Sequence, residues 1–268
     1  MSLDLFQVDA FTDRPFAGNP AAVCLLDGPA DASWMQDVAR ERNVSATAFL
    51  EPTDDGFHLR WFTPAVELEL CGHATLASAH VLAETGRLQP GTPARFQTRG
   101  GPLTADLRGE WIEMDFPAKP AAPVSPPEDL LAALGGAACV VSRSTFDYYL
   151  VELASEAAVR SAAPDFARLR TVPSRGVILT AQGAAGGPYD FVSRFFAPRL
   201  GIDEDPVTGS AHCTLAPYWV EKLAREELLG YQASARGGVV RVRLAGDRVK
   251  LAGQAVTVLR GQLVRTPA

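Results

Sequence analysis

The chain has 268 residues, 47% of them hydrophobic and 21% charged, which suits a soluble globular protein of two domains of about 130 residues, each large enough to bury a core. A net charge of −6 without a basic run gives no support to a nucleic-acid or membrane-surface partner, and the apolar runs are too short to span a bilayer. The N-terminus, Met1-Ser2-Leu3-Asp4-Leu5-Phe6, lacks a basic segment followed by an apolar core, and Cys24, Cys71, Cys139 and Cys213 are dispersed without CxxC spacing; a cytoplasmic protein with reduced thiols is expected.

Phe6–Phe11 alternates apolar with polar or small residues and predicts a strand, and Ala22–Leu26 predicts a buried one after the turn-rich Thr12–Pro20. Asp31 is placed to cap a helix through Arg42 that Asn43 stops, and Val44–Leu50 returns as a strand. Phe57–Phe62 is the next strand. A helix follows from His73, which Gly86 can end in a left-handed conformation. Phe96–Thr98, Leu103–Leu107 and Trp111–Phe116 read as a meander turning at Gly100-Gly101 and Gly109, and Pro117–Pro127, with five prolines, is the best linker.

Beyond the linker, helices are expected at Glu128–Leu134 and Asp165–Leu169. Strands are expected at Ala138–Ser142, Tyr148–Leu153 and Gly176–Thr180. A helix from Gly209 to about Leu223 contains Pro217, which should kink it or loosen a turn. Val239–Leu244, Arg248–Ala252 and Ala255–Arg260 close the chain as strands. Strands outnumber helices and hairpins are frequent, which gives an α+β fold of mixed sheets around one central helix per half.

One element occurs twice, about half the chain length apart. Arg60-Trp61-Phe62-Thr63-Pro64 precedes Gly72-His73-Ala74, and Arg194-Phe195-Phe196-Ala197-Pro198 precedes Gly209-Ser210-Ala211. Each copy runs from an aromatic strand through an acidic loop into a helix start rich in small residues. Two similar halves are expected, 1–117 and 118–268, with the terminal strand able to cross back to the first. If the halves face each other, two helix N-termini serve one anion site.

Four ordered motifs resemble the PhzF family: Phe16-Ala17-Gly18-Asn19-Pro20-Ala21-Ala22-Val23, Arg60-Trp61-Phe62-Thr63-Pro64, Cys71-Gly72-His73-Ala74-Thr75 and Glu204-Asp205-Pro206-Val207-Thr208-Gly209-Ser210-Ala211-His212. The resemblance covers about Asp9 to Gly261. It implies the diaminopimelate-epimerase-like fold, with two pseudo-symmetric halves, each a barrel-like sheet around a central helix, and the active site between them. It also implies a homodimer and no cofactor. The segment Asp205–His212 is more similar to relatives without an assigned substrate than to the phenazine-forming isomerase itself.

Family members move a proton within a small unsaturated carboxylate, and the resemblance carries their roles to particular positions here. Backbone amides at Gly72-His73 and Gly209-Ser210 fit the carboxylate anchor, since glycine permits close approach and helix dipoles favour an anion; tight strand-to-helix turns are the alternative. Asp205 binds the substrate's polar substituent or assists proton transfer, unless it only caps the helix or stabilises its loop. His73, at the positive end of a helix, is expected neutral and able to donate one hydrogen bond, a purely structural histidine being the alternative. The Ser210 hydroxyl either assists the anchor or caps the helix.

The departure from the pattern is Ala46, in Asn43-Val44-Ser45-Ala46-Thr47-Ala48-Phe49, where family members carry the glutamate that is their general acid/base. Losing such a group removes roughly 10²–10⁴ of rate, about 3–5 kcal/mol. Three explanations fit: an inactive form that still binds its ligand, altered chemistry by His73 or Asp205, or Cys71 acting as a single base beside a helix N-terminus. His73 and His80 lie on one helix face without an acidic or cysteine partner, so no metal is expected. Arg60 and Arg194 either bind anions or tie the halves down through buried hydrogen bonds.

Overall fold

The structure, a computed structural model, describes residues 2–89, 91–136 and 138–264. The chain divides into two compact units, Met1–Asp115 with Ala252–Ala268, and Phe116–Leu251. The C-terminal strand Ala255–Leu263 pairs antiparallel with the first strand of the chain. That crossing back takes 252–264 out of the second half. The expected limits at 1 and 268 lie outside the described residues.

The first unit contains β1 (Leu3–Ala10), β2 (Asn19–Leu25), α1 (Ala32–Arg42), β3 (Ala46–Thr53), β4 (Gly56–Phe62), β5 (Glu67–Leu68), α2 (Gly72–Glu84), β6 (Ala94–Thr98), β7 (Gly101–Arg108) and β8 (Trp111–Pro117). Its sheet runs from the C-terminal strand through β1, β2, β3, β4, β6 and β7 to β8, with β5 on β4; β2–β3 and β4–β6 are parallel and the other pairs antiparallel. One face carries Ala22, Cys24, Phe49 and Phe62, and Met35 and Ala39 of α1 cover it. The opposite face packs on α2, which is apolar or small nearly all round and buried accordingly. Its interior hydroxyls bond one turn back, Thr75 Oγ1 to the Cys71 carbonyl and Ser78 Oγ to that of Ala74, both at 2.7 Å. Gly86, at φ +69°, ends α2 with a paired set of hydrogen bonds: its N–H to the Ala83 carbonyl and the Arg87 N–H to the Leu82 carbonyl.

The second unit contains β9 (Ala121–Pro123), α3 (Glu128–Ala133), β10 (Val140–Ser144), β11 (Tyr148–Glu152), α4 (Glu156–Ser161), α5 (Phe166–Leu169), β12 (Gly176–Gln182), β13 (Phe191–Ala197), β14 (Ile202–Asp205), α6 (Gly209–Leu223), β15 (Glu227–Gln232), β16 (Gly238–Ala245) and β17 (Arg248–Gly253). β10 to β16 repeat the first unit's plan. β11–β12 and β13–β15 are the parallel pairs, β14 lies on β13 as β5 lies on β4, and α6 enters the chain where α2 does. Leu130, Val159 and Leu169 from α3, α4 and α5 close one face. On the other, Trp219 of α6 stacks on Phe191 and donates from Nε1 to Thr180 Oγ1 at 2.9 Å.

Several expectations change. Asp31 stands before α1 without a side-chain capping bond, although Asn43 ends the helix in the left-handed region as expected. The proline-rich linker holds β9, paired with β10. β5, α4, β14 and β15 are additional. β15 includes Gly230, where a Cβ would come within 2.4 Å of the Phe191 ring, so the glycine makes room for an aromatic core. Pro217 leaves α6 continuous over Gly209–Leu223, and the Cys213 carbonyl that it frees accepts the Lys119 N–H at 2.9 Å.

Candidate functional site

In the first unit the candidate residues gather where the β4–β5 hairpin enters α2. Arg60 holds Glu67 in a two-point fork, from Nε to Oε1 at 2.8 Å and from Nη2 to Oε2 at 3.0 Å. That pairing, together with Arg99, pulls the Glu67 carboxyl below the usual range. Cys71 takes the N-cap position without a side-chain cap, and Gly72 opens the helix. An α-helix has no internal partners for its first amides, so this turn presents N–H groups to an anion. Cys71 Sγ lies 3.5 Å from His73 Nδ1. Burial lowers the His73 pKa to about 4. The ring is therefore neutral at ordinary pH, and burial is the cause, where the sequence pointed to the helix dipole.

Ala46 is the first residue of β3, wholly buried and in register with Ala21. It shares with Ala48 and Leu50 the face opposite Phe49, on which α2 packs. Its methyl group has no ionisable proton to give or take. Glu51 does not replace it: five residues along, it stands about 17 Å away on the opposite strand face, beside His58. Glu41 is exposed at the end of α1.

The second unit repeats the fork: Arg194 Nε donates to Glu204 Oε1 at 2.7 Å and Nη2 to Oε2 at 2.8 Å. Both arginines lie over the phenylalanine two residues on, Arg60 over Phe62 and Arg194 over Phe196. The duplicated arginines thus brace the acidic loop within each unit. Asp205 ends β14, and its Oδ2 accepts the Thr208 hydroxyl. Thr208 is the N-cap position of α6, Gly209 is buried at the first turn, and Ser210 Oγ lies 3.0 Å from Tyr148 Oη. Burial raises the Tyr148 pKa, and the charges of Arg175 and Asp205 act on it in opposite senses. His212 is buried and held near pKa 4; its Nδ1 donates to the Thr208 carbonyl at 2.8 Å, which leaves Nε2 as a buried lone pair without a partner.

Gly72 and His73 are thus brought together at the start of α2, and Asp205, Gly209 and Ser210 at the start of α6. His80 is turned to Thr257, 3.1 Å away, and among the described residues no three His, Cys, Asp or Glu side chains converge as for a metal ion. Sequence reasoning missed Tyr148 and Gln232. Tyr148 sits in an ordinary strand pattern, and Gln232 ends a strand that was not expected; neither stands in a motif.

Known proteins resemble this chain over nearly its whole length. The model of the PhzC-PhzF family, phenazine biosynthesis-like protein, matches residues 8–261. An uncharacterized isomerase of Halalkalibacterium halodurans is 51% identical over 265 residues, covering 98% of this chain and 99% of that one. The crystal structure of a phenazine biosynthesis protein of the PhzF family from Enterococcus faecalis superposes with a TM-score of 0.94 at 38% identity, over 99% of this chain and 100% of that one. A probable proline racemase from Agrobacterium radiobacter shares the fold at 15% identity, with a TM-score of 0.66 over 99% of this chain and 94% of that one.

Proposed function

The chain belongs to the PhzC-PhzF family of phenazine biosynthesis-like proteins, and from that membership we propose an isomerase scaffold that shifts a proton on a small unsaturated amino- or hydroxy-carboxylate without a cofactor. Catalysis is impaired because Ala46 stands where the family's general acid/base is expected. The observation that carries the reading is the matched pair of helix starts: α2 and α6 both open at a glycine, behind an N-cap residue that makes no side-chain cap, after an Arg–Glu fork. The first-turn amides at Gly72-His73 and those at Gly209-Ser210 each offer donors that suit a carboxylate. Neutral His73 donates one hydrogen bond, and Asp205 takes the amino or hydroxyl substituent or assists the proton's transfer. A homodimer is proposed with it on the resemblance, and a cytoplasmic location on the four dispersed cysteines.

The test is calorimetric titration with 2-aminobenzoate, 3-hydroxybenzoate and their methyl esters. The acids bind and the esters, which lack the anion, do not; equal binding of acid and ester would sink the reading. Binding with no turnover at either state of residue 46 would instead favour a ligand-binding protein. A second reading, Cys71 as a single base, draws on the 3.5 Å contact between its sulfur and His73 Nδ1. Activity retained in Cys71→Ala removes it.

A further inference from the structure

Gln232 ends β15 fully buried, and every polar group of its side chain is engaged on the segment that leads into α6. Its Oε1 accepts the Thr208 N–H at 2.8 Å. Its Nε2 donates to the Asp205 carbonyl at 2.7 Å and to Thr208 Oγ1 at 3.2 Å. The amide can face only this way, since the Thr208 N–H needs an acceptor and the Asp205 carbonyl a donor. A hydroxyl has a single hydrogen. Because Oγ1 receives a hydrogen from Gln232, its own is committed to Asp205 Oδ2. Nearby, Ser234 Oγ donates to the Pro206 carbonyl at 2.8 Å, so the turn is held from the same side over three residues.

We infer that Gln232 is a positioning residue: acting through Thr208, it fixes the orientation of the Asp205 carboxylate. The inference rests on the reading that Asp205 meets the substrate. Gln232 itself is buried behind the turn and acts only on protein groups. With the hydroxyl hydrogen fixed, the carboxylate is held ready before any ligand arrives, which is where the benefit to binding lies.

The test is a mutant cycle on the full chain, read by calorimetry with 2-aminobenzoate and 3-hydroxybenzoate. Gln232→Met removes the amide at similar volume and is expected to weaken binding about tenfold, the scale of one hydrogen bond to a charged group. Thr208→Val should lose as much, and Thr208→Ser, which restores the hydroxyl, should lose little. In an Asp205→Ala background, Gln232→Met should add nothing, a coupling that a general fold defect would not produce. Wild-type affinity in Gln232→Met, or the same tenfold loss with and without Asp205, overturns the positioning role. Asp205→Ala binding like wild type, or no binding by wild type, overturns the reading of Asp205 and this inference with it. If Gln232→Met does not fold, the Thr208→Val and Thr208→Ser pair decides: equal affinities overturn the role.

Discussion

Replacing Ala46 by glutamate puts a carboxyl on the strand face that packs on α2. The position has no solvent exposure, so the longer side chain must displace neighbours, at a cost of about 1–3 kcal/mol. For a chain of this size that lowers Tm by roughly 2–12 °C. Burial disfavours the charged form, so the new carboxyl should titrate above the ordinary glutamate range and serve as both donor and acceptor near neutral pH. A positioned acid/base contributes about 10²–10⁴ in rate, or ~3–5 kcal/mol of barrier. The assay is NMR detection of deuterium incorporation from D2O into a carboxylate already shown to bind. Ala46→Gln is the control, with the same bulk and no exchangeable acid. Exchange should rise at least a hundredfold in Ala46→Glu and stay at the wild-type level in Ala46→Gln. No gain with glutamate, or an equal gain with glutamine, refutes the assignment of Ala46 as the missing acid/base.

Two further outcomes follow from the electrostatics. His73 and His212 are neutral and buried with pKa values near 4, against 6.5 unfolded, so below pH 6.5 the unfolded chain takes up protons that the native one does not. Their contribution to stability is complete above pH 6.5 and is lost as pH falls toward 4, by up to about 1.4 kcal/mol per pH unit for each histidine. Urea unfolding at pH 7, 6 and 5 should show this, and His212→Asn should lessen the slope; a slope unchanged by that substitution would contradict the assignment. Arg194 is the less exposed of the two arginines, with 13% of its side chain accessible against 31% for Arg60, and it also donates to the Ala162 carbonyl at 2.6 Å. Arg194→Ala should therefore cost about 2–3 kcal/mol in denaturant unfolding and Arg60→Ala less, the reverse order being the contrary result.

Much of this molecule was legible in its sequence, because chemistry and chain conformation coincide at the duplicated segments. Arg60-Trp61-Phe62 and Arg194-Phe195-Phe196 mark equivalent strands, and Gly72 and Gly209 mark equivalent helix starts, so one comparison along the chain located both β4–α2 and β13–α6. What escaped depends on contacts made at a distance. β5 and β14 are short, charged and stabilised by pairing to β4 and β13, not by an apolar pattern of their own. β15 was hidden by Gly230, whose reason is the Phe191 ring from another strand. The bracing role of the two arginines depended on Glu67 and Glu204, at unequal spacings of seven and ten residues. Gln232 lies 27 residues beyond Asp205, in no motif, and only folding brings its amide to that turn.

The central claim, that the first-turn amides at the glycine-led starts of α2 and of α6 are carboxylate anchors, is tested most directly by amide chemical shifts during titration with 2-aminobenzoate. Residues 72–74 and 209–211 should both move with the acid, and methyl 2-aminobenzoate should move neither set. Shifts confined to other residues, or equal shifts with the ester, would contradict it.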